Sequence, residues 1–103
     1  MTRFSKAIFE PLVNRTFAVH AGGGRQVEVR LAGVVSRDIS PRYESFTLNF
    51  DPLEKEEPLP DGSYVMEADG FGPALVFISP TPAASPDPSD YYYEAVFNVL
   101  LEK

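Results

Sequence analysis

Few residues in this chain have types suited to chemistry, and their spacing argues against most of it. His20 is the single histidine. It ends a short run, Thr16 to His20, and is followed by Ala21-Gly22-Gly23-Gly24. A catalytic triad or a histidine-based metal site needs partners at defined spacing, and none is identifiable, so His20 is expected to be structural or solvated. The three glycines resemble a fragment of a phosphate loop. No Gly-Lys-Ser/Thr follows them, however, and the next segment alternates like a strand rather than a helix. They read as a hairpin turn, because glycine accepts the positive φ that tight hairpins need.

The other candidates fare no better. No serine lies in a Gly-X-Ser-X-Gly elbow or in Ser-X-X-Lys. Glu54, Glu56 and Glu57 are close enough to act as an acid–base pair, but they sit in a proline-flanked loop. Paired catalytic carboxyls need one partner desolvated to separate their pKa values, and such a loop gives little of that. The same stretch, Asp51 to Glu57, lacks the spacing and the glycine of a calcium loop. With no cysteine there is no disulfide, thiolate nucleophile or cysteine-bound zinc. No catalytic residue, metal site or cofactor is therefore expected, and the chain reads as a non-enzyme.

Tyr91-Tyr92-Tyr93 is the most prominent aromatic feature. In a strand, Tyr91 and Tyr93 point one way and Tyr92 the other, so at least one ring is expected at the surface. Exposed tyrosines anchor protein interfaces and stack on sugars; alternatively they cover a barrel end with their hydroxyls in solvent.

These residues must be positioned by short, alternating segments. Residues 4–13 make a short helical or packed lead-in, with Ser5 as N-cap and Phe4, Ile8 and Phe9 on one face. Pro11 stops any helix near Phe9 or Glu10. Six strands follow, at 16–20, 26–36, 43–51, 62–69, 73–79 and 91–102. In the second, Val27, Val29, Leu31 and Val35 share a face, interrupted by Gly33, a residue that inside a strand marks a bulge or bend. Residues 37–42 read as a polar loop, and 52–61 as a long acidic loop with three prolines. Asp69-Gly70 is a hairpin turn signal. The 80–90 segment, with four prolines, is expected to be extended and exposed. The fold class is thus all-β, one domain over residues 1–103: a small antiparallel six-stranded barrel or sandwich with a short N-terminal helical or packed segment.

Period-two alternation assigns a core of Val27, Val29, Leu31, Phe46, Leu48, Phe50, Tyr64, Met66, Phe77, Ala95, Phe97 and Val99. The fifth strand is apolar on both faces, and the sixth adds Val96 and Leu100 to its outer face. Val76, Ile78, Tyr92, Val96 and Leu100 are therefore assigned to an interface with a protein partner or with further copies of the chain. The competing arrangement folds Phe4, Ile8, Phe9 and Leu12 back over them.

At 103 residues and 44% hydrophobic, with eight phenylalanines and five tyrosines, the chain is long and apolar enough to bury one core. Its net charge of −6 argues against nucleic acid. No segment is apolar for long enough to span a bilayer, and no signal-peptide pattern follows Met1, so a cytoplasmic location is expected unless an assembly carries the protein out. The first 42 residues are locally basic and the acids cluster later. That asymmetry suits head-to-tail packing of copies, and equally an ordinary solvated surface.

Three stretches carry a resemblance: Pro11-Leu12-Val13-Asn14-Arg15-Thr16-Phe17, Leu59-Pro60-Asp61-Gly62-Ser63-Tyr64 and Tyr93-Glu94-Ala95-Val96-Phe97-Asn98. Together with the Phe46–Phe50 strand they resemble a small bacterial family of unknown function associated with genes for phage-tail-collar-like proteins. Asn14 stands where that family usually has glycine, and asparagine also tolerates left-handed geometry. The resemblance implies a structural or assembly role beside a phage-tail-like particle, with no catalytic residues to transfer. A small carbohydrate- or peptide-binding domain with an aromatic rim is the alternative.

Overall fold

The computed structural model describes residues 5–54, 57–87 and 90–100. A short helix α1 (Lys6–Phe9) runs into a 3-10 turn (Glu10–Leu12), and six strands follow. They are β1 (Thr16–Gly22), β2 (Arg25–Ser40), β3 (Tyr43–Pro52), β4 (Gly62–Ala68), β5 (Phe71–Pro82) and β6 (Tyr91–Leu100). All neighbours are antiparallel, and the sheet closes as a barrel in the order β1-β2-β3-β6-β5-β4. Of the two architectures expected, the barrel is the one formed.

Local chemistry explains most of the turns. Gly23 and Gly24 have φ of 60° and 79°, the signs a two-residue type I′ hairpin requires. Asn14 is the one non-glycine at positive φ among the described residues, at 75°. Its N–H donates to the Leu31 carbonyl at 2.7 Å, and its Oδ1 accepts from Arg30 at 2.9 Å. The chain is thereby fastened to β2 before β1 begins.

The core fills the barrel. Phe17, Val19, Val29, Leu31, Leu48, Met66 and Ala95 are wholly buried, and Phe46, Phe50, Ile78 and Tyr93 nearly so. Rings from six positions contact one another towards one end: Phe9, Phe17, Phe46, Phe50, Phe71 and Phe97. Leu59 and Tyr93 fill the interior elsewhere, the Leu59 N–H donating to the Tyr93 hydroxyl at 2.9 Å.

Two bulges change which side chains face inward, and both correct the alternation read from sequence. Leu31 pairs with Phe50, but Gly33 pairs with Asn49, so Ala32 is an extra residue in β2. Beyond it Val34 packs on the core and Val35 is exposed, the reverse of the face assigned to Val35. Met66 pairs with Ala74, whereas Ala68 pairs with Phe71, so Gly72-Pro73 forms a second irregularity in β5. Phe71 points inward, and after the irregularity Ala74, Val76 and Ile78 do so. Phe77, assigned to the core, lies outside at 55% exposure. Tyr64, Phe97 and Val99 are partly buried against the core, and the remaining expected core residues are buried.

Strand boundaries differ by one or two residues in β1, β3 and β4, and by more at the end of β2 and in β5. β2 continues through the expected 37–42 loop to Ser40, because β3 pairs along it as far as Tyr43. β5 begins at Phe71, directly after the Asp69-Gly70 turn, and runs on through Pro82. Proline is tolerated there because the last four residues of β5 pair only with β6 and form an edge on the other side.

Candidate functional site

The candidate residues for chemistry are dispersed around the barrel. His20 on β1 and Glu67 on β4 meet on the outer face, with Nε2 and Oε2 2.8 Å apart and both side chains nearly half exposed. An exposed pair of this kind contributes about 0–1 kcal/mol. Arg30 is held by Asn14 and by Asp51, at 2.9 Å each. No group of three or more histidines and carboxylates able to hold a metal occurs among the described residues. A shallow groove of about 260 Å³ is lined by Gln26, Val27, Glu28, Leu53 and Glu54. It is partly open, and two carboxylates, Glu28 and Glu54, flank it.

The tyrosine run is largely turned into the fold. Tyr93 is 1% exposed, and Tyr91 packs edge-on against it, ring centres 5.4 Å apart. Tyr92 lies on the opposite side of β6, half-buried and paired with Thr81. Burial pushes the Tyr93 hydroxyl up to about 12 from 10, the Leu59 N–H opposing the shift and Tyr91 adding to it. Because the folded-state pKa is the higher one, this stabilisation is complete below pH 10 and is lost as pH rises through 12. Unfolding free energy is expected to fall by roughly 2 kcal/mol across that window on account of Tyr93. Urea denaturation at stepped pH should show the loss, and Tyr93→Phe should remove that part of it.

The surface residues with the least satisfied environment are apolar. On the outside of β4 and β5, Val65 and Leu75 are cross-strand partners, exposed by 40% and 62%. Phe77 lies two residues further along β5, at 55%. Val96 on the outer face of β6 is 57% exposed. It lies two residues past Glu94, which pairs with Ser79, itself two residues past Phe77. Val65, Leu75 and Phe77 thus lie together on the outer face of β4 and β5, and Val96 lies on that of β6, where its ladder partner is Thr47 of β3.

Of the residues assigned to an interface, the structure places only some here. Val96 is on this face, and Tyr92 is on the outer side of the same strand. Val76 and Ile78, at 3% and 1% exposure, are interior and cannot contact a partner. Leu100 pairs with Tyr43 at the end of β6, and its side chain lies outside the described residues. The continuous apolar run Ala74–Ile78 lies in β5, and the Gly72-Pro73 irregularity turns Val76 and Ile78 inward and Leu75 and Phe77 outward. Leu75 and Phe77 are the residues missed, and Gly-Pro just after the Asp69-Gly70 turn was the available signal. The described part of the N-terminal segment does not cover this face. Phe9 and Leu12 are buried against the core instead, and Phe4 lies outside the described residues.

No helix among the described residues is long and apolar enough to cross a membrane. Comparison with curated proteins and with solved structures gave no match. A family model does match, over residues 4–97, and it spans α1 and all six strands nearly to the end of β6. The chain accordingly belongs to the family described as a domain of unknown function, DUF6916.

Proposed function

We propose that this barrel is a non-catalytic interaction module, a structural accessory of a phage-tail-like or cell-surface assembly. Its outer β4-β5-β6 face is the contact surface. The observation that supports this reading is the outward placement of Val65, Leu75, Phe77 and Val96 on one side of a barrel that already has a complete core. Scattered exposed apolar residues are ordinary, but neighbouring ones as large as Leu75 and Phe77 mark a contact surface. Rigid strands hold them in place, which suits recognition without rearrangement.

Light scattering and native mass measurement test the proposal, on the protein alone and mixed with the products of neighbouring genes. The parent is expected to associate. A Leu75→Ser/Phe77→Ser variant should stay folded, since both side chains point away from the core, and should lose that association. A parent that remains monomeric in every mixture, or a variant that associates as the parent does, rules the proposal out.

A further inference from the structure

The topology sorts the charges of this chain in a way that the sequence order alone does not reveal. Residues 1–55 contain eight Lys and Arg against six Asp and Glu, whereas residues 56–103 contain one against nine. The dividing point falls between β3 and β4. In the closed barrel β1, β2 and β3 are contiguous, and so are β6, β5 and β4. Among the described residues, the β1-β2-β3 half with its flanking segments is balanced, six Lys and Arg against six Asp and Glu, and its strands alone carry three against four. The other carries no lysine or arginine in any of its strands.

The apolar face lies on the acidic half, and acids border it. Glu67 follows Val65 on the outer side of β4, where it holds His20. Exposed Asp61 directly precedes β4, and Glu94 stands on the outer side of β6, level with Ser79 and two residues before Val96. His20 on β1 adjoins the face, and Glu67 already engages it at 2.8 Å.

We infer that this face receives a different protein, one presenting apolar side chains flanked by lysine or arginine. The inference rests on the interaction role proposed above and specifies the chemistry of the partner. A two-fold pairing of the face with itself would set Glu67, Asp61 and Glu94 against the same residues of the second copy, and like charges across an interface select against it. Head-to-tail packing would have to use the β1-β2-β3 half, whose described residues carry no excess of positive charge and whose Arg30 is bound to Asp51 and Asn14. A basic, apolar surface meets both requirements: it fills contacts with Leu75 and Phe77, and it neutralises the acidic border.

Fluorescence anisotropy with three labelled synthetic peptides of equal length tests this. One alternates leucine or valine with lysine, one alternates the same apolar residues with glutamate, and one alternates serine with lysine. The first is expected to bind about tenfold more tightly than either of the others at roughly 0.1 M salt. Leu75→Ser/Phe77→Ser, which leaves the net charge unchanged, should weaken it about tenfold. Asp61→Asn/Glu67→Gln should weaken it several-fold and flatten its salt dependence. Equal binding of the glutamate peptide removes the charge argument. Equal binding of the serine–lysine peptide, or undiminished binding by the Leu75/Phe77 variant, shows attraction to net charge without a docking face. If the lysine–apolar peptide fails to bind while the parent self-associates through Leu75 and Phe77, the interaction role stands and the partner is a second copy. If neither occurs, both readings fall.

Discussion

Phe9→Ala is expected to destabilise the protein by about 3–5 kcal/mol, the range for deleting a fully buried aromatic ring. Phe9 is 1% exposed, with ring centres 5.2 Å from Phe71, 5.7 Å from Phe97 and 5.9 Å from Phe46. It thus links β5, β6 and β3 from a helix of only four residues. A helix so short has no stability of its own, and α1 has no side-chain N-cap bond. Its backbone is tied to the barrel by the Lys6 N–H, which donates to the Glu44 carboxylate at 2.6 Å. The position matters because the β5–β6 ladder is four residue pairs long, from Ser79–Glu94 to Pro82–Tyr91. Towards Phe71 and Phe97, packing through Phe9 adds cohesion that the ladder does not extend to supply. Urea unfolding should show the loss, and thermal unfolding a midpoint lower by roughly 4–8 °C per kcal/mol for a domain of this size. A loss under about 1 kcal/mol would mean that the barrel closes without α1.

Gly72→Ala should be more damaging still. Gly72 has φ of +74°, where a β-carbon costs about 1–2 kcal/mol. That carbon would also sit 2.6 Å from the Met66 carbonyl oxygen and 3.0 Å from the Ala74 nitrogen. Both are backbone atoms in the β4–β5 ladder, so neither can move without breaking pairs on either side. The combined loss is expected to exceed about 3 kcal/mol, or to prevent soluble expression. Gly33→Ala is the control: an added β-carbon there has nothing within 4 Å, and its φ is not left-handed. It should be neutral, or stabilise by up to about 1 kcal/mol through a less flexible unfolded chain. Thermal unfolding of the two variants side by side distinguishes a site-specific clash from a general intolerance of lost glycines.

The sequence by itself determined the all-β class, the number of strands, the glycine hairpin and the inward faces of β2 and β3 with Met66 and Ala95, whereas Phe9, Phe17, Val19, Phe71, Val76, Ile78 and Tyr93 were not assigned to the core. Each feature so determined follows from local properties: period-two alternation in 26–31 and 46–50, left-handed tolerance at Gly23, Gly24 and Asn14, and proline at loop ends. The proposed contact face was only partly legible. Strand β5 is apolar at five consecutive positions, so alternation could not say which of Val76 and Phe77 faces inward. Tertiary pairing decided it. Ala68 pairs with Phe71 and Met66 with Ala74, and the irregularity between them turns Phe77 to the surface. The same physics moved Val35 outward after the bulge at Ala32, since one extra residue exchanges the two faces of everything downstream. Charge behaves similarly. The absence of lysine and arginine from 56 to 102 is plain in the sequence, but closure in the order β1-β2-β3-β6-β5-β4 is what gathers it onto one half of the barrel. Strand order depends on contacts between residues far apart in the chain, and no local pattern of residues encodes it.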